Sequence, residues 1–176
     1  MAYTEHLSLV NFECYLATDS SQRLIGMTDV ELPTITHQTV KIAGNGVAGQ
    51  YDMPVAGHIE SMELKLNFRL LDSEQADLFK HRVIDLDLRG SQEREDVGNG
   101  TLKQIPIKVL ARGIPKEWET GKFEPHATNE TTYTIALQRL ELLVDNTREM
   151  LYDVFNYILE VDGTDELAQV RRNLGR

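Results

Sequence analysis

Residues 62–70 read MELKLNFRL and alternate strictly between apolar and polar side chains. The apolar positions are Met62, Leu64, Leu66, Phe68 and Leu70. Successive side chains of a β-strand point to opposite faces of a sheet, so a period of two places one face of this stretch in a core and the other in solvent. The stretch therefore predicts a half-buried strand.

The same alternation recurs along the chain and indicates a mostly β protein. It is found in residues 84–89, 105–112 and 133–138. Shorter strands are predicted around residues 9–16, 24–33 and 35–42. After Leu137 the apolar positions change register, to Leu140, Leu142 and Val144. A change of face within one strand is typical of a β-bulge or a bend, which we therefore expect just after Leu137.

Two helices are expected to interrupt the strands. The first begins near Asp72, with Gln75 at the spacing of a capping box, and its apolar stripe continues to Leu86. The second covers residues 165–174, with acidic residues in its first turn, basic residues in its last turn and Gly175 as the residue that ends it.

Residues 148–161, REMLYDVFNYILEV, are ambiguous. Their apolar side chains fit the spacing of a helix, and the first of them also alternate as in a strand. Periodicity alone leaves both interpretations open.

Composition limits the possible functions. The chain has 176 residues, enough for one domain, which we expect to span residues 1–176. No apolar run approaches the length of a membrane span, and the N-terminus lacks the pattern of a secretory signal, so we expect cytoplasmic synthesis. Cys14 is the single cysteine. The formal net charge of −10 argues against tight binding to phosphate backbones.

Gly44, Gly46 and Gly49 have the G-x-G-x-x-G spacing of a dinucleotide-binding loop. That motif requires a helix starting at its third glycine, because the helix N-terminus binds the pyrophosphate. Here Pro54 and Gly57 follow and break any helix, so a long, flexible loop between two strands is the better interpretation. A nucleotide-binding enzyme stays as the unfavoured alternative.

Other patterns of catalytic or metal-binding residues are equally weak. Asp85 and Asp87 have the spacing of a divalent-ion site or an acid/base pair, but two residues apart on a strand they are better explained as a solvated acidic face. We expect no enzymatic activity, no catalytic residue, no metal ligand and no cofactor.

The order of short motifs resembles the major tail tube proteins of contractile-tailed phages and of R-type phage-tail-like bacteriocins. The C-terminal VDGTDELAQVRRNLG is similar to the family's ending: a turn, a short helix and an R-x-x-L-G close. Earlier similarities are VELPTIT, AGNGVAG, ESMELKLNF, LARGIPKEWETG and LELLVDNTREMLYD. The departures are Asp145-Asn146, where the family tends to have Asp-Gly, and Arg176. Asn tolerates the left-handed conformation that such a turn needs.

The resemblance implies the hexameric-ring tail tube fold, mainly β with some α: two packed antiparallel sheets forming a small barrel or sandwich, a flanking helix and a C-terminal helix. It favours a strand from about Arg148 to Asp153, followed by an irregular connection. Six copies would form a ring, and rings would stack into the inner tail tube, the channel for DNA passage or membrane puncture. A ring protein of the type VI secretion kind is the alternative within this class.

The resemblance also implies partners and site residues. The partners are other copies of the chain, the tail sheath, tape measure, baseplate and terminator proteins, and DNA that passes without specific binding; no stable membrane association is expected. The protein would belong to a virion tail assembled in the host cytoplasm. The ring-stacking loop is expected at Gly44, Asn45, Gly46, Val47, Gly49, Gln50 and Tyr51. Acids facing the lumen are expected at Glu63, Asp85 and Asp87, and sheath-facing residues at Arg171 and Arg172.

Overall fold

The computed structural model describes residues 4–17, 22–24 and 26–176. The strands of this part of the chain are β1 (Thr4–Leu16), β2 (Gln22–Arg23), β3 (Met27–Glu31), β4 (His37–Ile42), β5 (Tyr51–Ile59), β6 (Glu63–Phe68), β7 (Ile84–Asp96), β8 (Thr101–Glu119), β9 (Thr131–Val144), β10 (Thr147–Asp153), β11 (Ile158–Val161) and β12 (Thr164–Asp165). The helices are α1 (Ser73–Leu78) and α2 (Ala168–Asn173). Within these described residues, no helix has the length and apolar character needed to cross a membrane.

Antiparallel pairing joins most of these strands into one branched sheet. Its main path runs β12-β11-β10-β9-β8-β7-β1-β2, and β3 joins through β6, which also pairs with β9. β4 and β5 form a separate two-stranded sheet. The predicted mainly β fold of antiparallel sheets with two helices is confirmed.

Strand β9 is where the sheet divides. Its residues 131–136 pair with β6, and its residues 139–144 pair with β10. The ladder between β8 and β9 changes register at Gly113, which leaves Gln138 as the extra residue of a bulge. A side chain on Gly113 would crowd the carbonyl oxygen of Ala136. The bulge lies where the change of apolar register predicted it.

The core is built from the alternating positions that the sequence indicated. Its fully buried side chains include Met62, Leu64, Leu66, Phe68, Ile84, Leu86, Ile135 and Leu140. Tyr133 stacks on Trp118 with ring centroids 5.2 Å apart and meets Phe68 edge-on at 5.6 Å. Burying each large apolar side chain stabilises the fold by about 1.5–3 kcal/mol, so this cluster dominates the stability of the subunit.

Helix α1 is shorter than the sequence predicted. It begins as expected after Asp72, whose carboxylate accepts a hydrogen bond from the next backbone N–H, but it ends at Leu78. The predicted helical stripe as far as Leu86 is wrong, because Leu86 is a buried residue of β7. The capping box is wrong too, since the Gln75 amide donates to the carbonyl oxygen of Leu70 at 2.8 Å.

Helix α2 also begins later than predicted. Asp165 belongs to β12, and Glu166 precedes the helix, so neither acid lies in its first turn. Gly175 follows the helix with φ of 75°, the left-handed conformation expected of the residue that ends it.

The ambiguous stretch is extended rather than helical. β10 matches the strand expected from about Arg148 to Asp153. The connection after it is more regular than expected, because β11 turns back and pairs with β10. The turn before β10 has Asp145 and Asn146 at φ of 51° and 60°, so this pair adopts the left-handed geometry that glycine usually provides.

Candidate assembly surfaces

The predicted ring-stacking loop lies at the tip of the β4–β5 hairpin. Its residues Gly44, Asn45, Gly46, Val47, Gly49, Gln50 and Tyr51 are all exposed. Gly44 and Gly46 have φ of 145° and 96°, and the Val47 N–H donates to the Gly44 carbonyl at 3.2 Å. The two glycines therefore make the turn. No helix follows Gly49; the chain enters β5 instead, so the dinucleotide interpretation is wrong.

The hairpin has one apolar face, which the sequence analysis missed. Val40 lies opposite Met53, and Ile42 lies opposite Tyr51, so their side chains share one face of the two strands. Their exposed fractions are 52%, 42%, 37% and 56%, respectively. We call these four residues the apolar hairpin face. Its signal in the sequence is the alternation of apolar and polar residues in 40–42 and 51–53, on either side of the glycines.

Two of the three predicted lumen acids lie side by side. Asp85 and Asp87 point to the same face of β7, opposite the buried Ile84, Leu86 and Leu88. Glu63 lies on β6, beyond the β9 bulge, and does not join them.

None of the three acids is unpaired. Asp85 accepts from Arg112 at 2.6 Å. Asp87, with its side chain only 11% exposed, accepts from Arg89 at 2.6 Å and lies 3.5 Å from Lys108. Glu63 pairs with Lys116. The prediction of a solvated acidic face at Asp85 and Asp87 is wrong, because Asp87 is nearly buried and both carboxylates form ion pairs with basic side chains of β7 and β8.

The pairs on β7 and β8 continue across the sheet. On β9 the buried Glu141 accepts from Arg139 at 3.0 Å and from Arg148 at 2.8 Å, and Arg148 also reaches Glu160 at 3.5 Å. We call this surface the charged face; it comprises Asp85, Asp87, Arg89, Lys108, Arg112, Arg139, Glu141, Arg148 and Glu160.

The charged face fixes the ionisation of Glu141. Burial by itself raises the pKa of this carboxyl, but the hydrogen bonds and positive charges of Arg139 and Arg148 outweigh burial and hold the pKa below its ordinary value. The carboxylate is thus ionised at neutral pH and shared by two guanidinium groups. Sequence alone could not reveal this arrangement, since it depends on which residues of neighbouring strands face each other.

The two predicted sheath-facing arginines differ in their surroundings. Arg171 forms an ion pair with Asp165 and donates to the Tyr157 carbonyl at 2.7 Å. The hydrogen bond from Arg171 holds the pKa of the Asp165 carboxyl below its ordinary value. Arg172 is exposed and makes no ion pair with the described residues. Arg171 therefore fastens α2 to the β11–β12 region, whereas Arg172 is available to a partner.

Comparison with known proteins gives one consistent result. The family model described as phage tail tube protein FII matches residues 7–175. The tail tube protein of Escherichia phage P2 is 28% identical over 151 residues, covering 83% of this chain and 85% of the relative.

Solved structures support the same fold. The sheath-tube complex of the extracellular contractile injection system PVC includes a chain with a TM-score of 0.54 and 16% identity, covering 78% of this chain and 90% of that one. A chain of the anti-feeding prophage baseplate gives a TM-score of 0.52 at 8% identity, covering 80% and 97%. The matched family and its phage relative are tail tube proteins rather than enzymes, as expected. Because the family model matches nearly the whole sequence, the chain belongs to the phage tail tube protein FII family.

Proposed function

We propose that six copies of this chain close into a ring and that the rings stack into the inner tube of a contractile tail. Residues 1–176 would act as one tail tube domain. The observation that carries the proposal is the family match over residues 7–175. The similar solved chains belong to a sheath-tube complex and a baseplate, each of which is a larger assembly.

An open sheet edge supports ring closure. One edge of β1 pairs with β7. On the other edge only Tyr15 and Leu16 pair with β2, and among the described residues no strand lies beside the part of β1 that precedes them. A long unpaired edge is a template for pairing with another chain, and natural proteins cover or close such edges. A head-to-tail ring would cover the β1 edge of every copy with its neighbour.

The charged face is our candidate for the lumen wall. It is the polar side of the long strands β7 to β10, and closing these strands into a common barrel would turn it toward the channel. Each of its five cations lies in an ion pair with one of its acids, so the wall would offer DNA no unpaired cation. Each copy has a formal net charge of −10, which adds repulsion at short range. DNA would pass without specific binding.

The exterior would contact the sheath, and the tube ends would contact the baseplate, the terminator and the tape measure protein. These partners are supported by the similar solved chains, which belong to sheath/tube terminator, sheath-tube and baseplate assemblies. Arg172 at the exposed C-terminus is our candidate for sheath contact. The tube would be part of a virion tail assembled in the host cytoplasm, and the family match favours this over a secreted type VI ring.

Negative-stain electron microscopy of the concentrated protein tests the proposal. We expect rings with six-fold class averages, or hollow tubes, with tube growth accelerated by purified baseplates. Dispersed single subunits at high concentration, both with and without baseplates, would contradict it.

A further inference from the structure

We infer that the C-terminal segment, residues 164–174, holds the β4–β5 hairpin in one direction relative to the main sheet, through the contact of Leu167 with Gly57. We call this segment the C-terminal strap. The inference concerns contacts inside a single copy, so it does not depend on the proposed ring or tube.

The hairpin has few connections to the rest of the molecule. Among the described residues, its two strands pair only with each other, and every side chain of β4 and of residues 51–54 is exposed. Residues 32–36 and 60–62 link it to the main sheet, and the Glu60 N–H ties these links together by donating to the Thr36 carbonyl at 2.8 Å. Because a two-stranded sheet has no core of its own, its direction depends on what touches its base.

Strand β5 is bulged at this base. Between two successive pairs of the β4–β5 ladder, β5 has residues 55–58, whereas β4 has only Gln38. A bulge bends the strand that contains it. Gly57 lies within this bulge and has φ of 73°, a left-handed conformation that glycine adopts without strain. The bulge is therefore the place where the outer part of the hairpin can change direction.

The Leu167 side chain packs directly on Gly57. Leu167 is only 4% exposed, and a Cβ at position 57 would lie 2.8 Å from its Cγ and closer still to both of its methyl groups. Only glycine leaves room for the leucine here. The strap thus contacts the hairpin at the residue where β5 bends.

Hydrogen bonds fix the position of Leu167. Its N–H donates to the Asp165 carboxylate at 3.0 Å, and its carbonyl accepts from the Arg171 N–H at 3.0 Å. The Glu166 N–H donates to the Leu159 carbonyl at 2.8 Å, which joins the strap to β11. Leu167 is therefore a stop of fixed position rather than a side chain on a loose end.

The other contact at the base leaves the bend free. Burial raises the pKa of the Tyr152 hydroxyl, and a hydrogen bond from the Ile59 backbone opposes that rise. This bond holds the end of β5 on the main-sheet side of the bulge. Leu167 touches the bulge itself, so it sets the direction of the strands beyond the bulge.

The strap couples helix α2 to the hairpin. A partner that shifts α2 would shift Leu167 and release the bend at Gly57. Coupling between two sites is reciprocal, so a change in the direction of the hairpin would alter the affinity of α2 for that partner by the same factor.

Distances between two spin labels in dilute subunits test the strap. The labels are attached at Asn45→Cys, in the exposed tip of the hairpin, and at Glu149→Cys, an exposed position of β10. Native Cys14 is buried, which raises the pKa of its thiol to about 12, so it should react little. The width of the distance distribution reports how firmly the hairpin is held.

Leu167→Ala removes the contact with Gly57, and Leu167→Met is its conservative counterpart because it nearly keeps the volume of the side chain. Leu78→Ala is the matched control, since Leu78 is also buried but belongs to α1. We expect a narrow distribution for the labelled parent, Leu167→Met and Leu78→Ala, and one about twofold broader for Leu167→Ala.

Gly57→Ala tests the same contact from the hairpin side. Its methyl group would displace Leu167, so it should broaden the distribution as well, and it keeps the test decisive if Leu167→Ala does not fold. An unchanged width in either folded variant, or equal broadening in Leu78→Ala, would overturn the strap. Failure of the unmodified protein to form tubes would instead overturn the proposed function and leave the strap intact.

Discussion

The charged face and the apolar hairpin face differ in what a single copy provides for them. On the charged face every acid named above has a basic partner from the same chain, and Glu141 has two. On the hairpin, Val40, Ile42, Tyr51 and Met53 keep 37–56% of their surfaces exposed. A surface that is complete in one copy can stay exposed to a channel, whereas an incomplete one requires a neighbour. Changes to the first should therefore alter stability or passage, and changes to the second should alter assembly.

The largest expected effect is loss of tubes on deletion of residues 44–50. The loop is exposed and contributes no side chain to the core, so the melting temperature should stay within about 2 °C of the unmodified protein. Without residues 44–50, the hairpin should no longer contact the next ring. Electron microscopy and calorimetry measure the two outcomes separately.

Thr39→Asp is the control for this deletion, because it changes the polar face and leaves the tip intact. It should form tubes normally. Normal tubes from the deletion variant would show that the hairpin tip has no part in stacking.

Glu141→Gln should give the largest loss of subunit stability among changes to the charged face. It removes a buried carboxylate that accepts from two arginines, and hydrogen bonds to charged groups are worth about 1.5–3 kcal/mol each. Since both arginine side chains are about two-fifths exposed, water compensates part of the loss, and we expect about 2 kcal/mol in urea unfolding of dilute subunits.

Glu160→Gln is the matched control for Glu141→Gln, because its single contact with Arg148 is long and partly exposed. It should cost less than about 1 kcal/mol. Equal losses of unfolding free energy for the two variants would show that sharing the Glu141 carboxylate between two arginines adds no stability.

The stability difference between the unmodified protein and Glu141→Gln should depend on pH. The pKa of Glu141 is lower in the folded state than its ordinary value of 4.5, so its contribution is fully present above that value and is lost as the pH falls through the folded-state pKa. The difference in unfolding free energy should therefore be constant near neutrality and shrink in acid. A difference that persists undiminished at about pH 3 would contradict this sign.

Sequence reasoning succeeded where local pattern decides structure and failed where distant strands meet. The alternation in residues 62–70 and the shift after Leu137 predicted β6 and the β9 bulge, because strand periodicity is a property of consecutive residues. The predicted extension of α1 as far as Leu86 was wrong. Ala76, Phe79, Val83 and Leu86 have helical spacing by coincidence, and the burial of Leu86 in β7 outweighs that local pattern.

The site residues show the same division. The exposed loop at residues 44–50 could be located from its glycines. The pairing of Asp85 with Arg112, and of Glu141 with Arg148, depends on strand register, which the composition of each strand does not contain. The resemblance to a family supplied the function but not these contacts.

A smaller effect should separate Arg171 from Arg172. Arg171→Glu breaks the ion pair with Asp165 and places two acids together, so it should lower the melting temperature by a few degrees and disturb α2. Arg172→Glu should leave the melting temperature unchanged and weaken sheath attachment in a pull-down. If Arg172→Glu attaches to sheath normally while Arg171→Glu does not, the exterior contact depends on the position of α2 rather than on free charge.

Only a small effect on stability is expected at Asp85, and this makes it a clean test of the lumen assignment. Its pair with Arg112 is 39% and 52% exposed, so Asp85→Lys should cost under about 1 kcal/mol and leave tubes intact. It also reverses one charge in every copy, and the resulting pair of cations repeats around each ring and would hold DNA phosphates. Genome delivery should therefore fall. The double variant Asp85→Arg with Arg112→Asp restores both the ion pair and the charge balance, so it should recover delivery. If Asp85→Lys tubes deliver DNA at the normal rate, Asp85 does not face the channel.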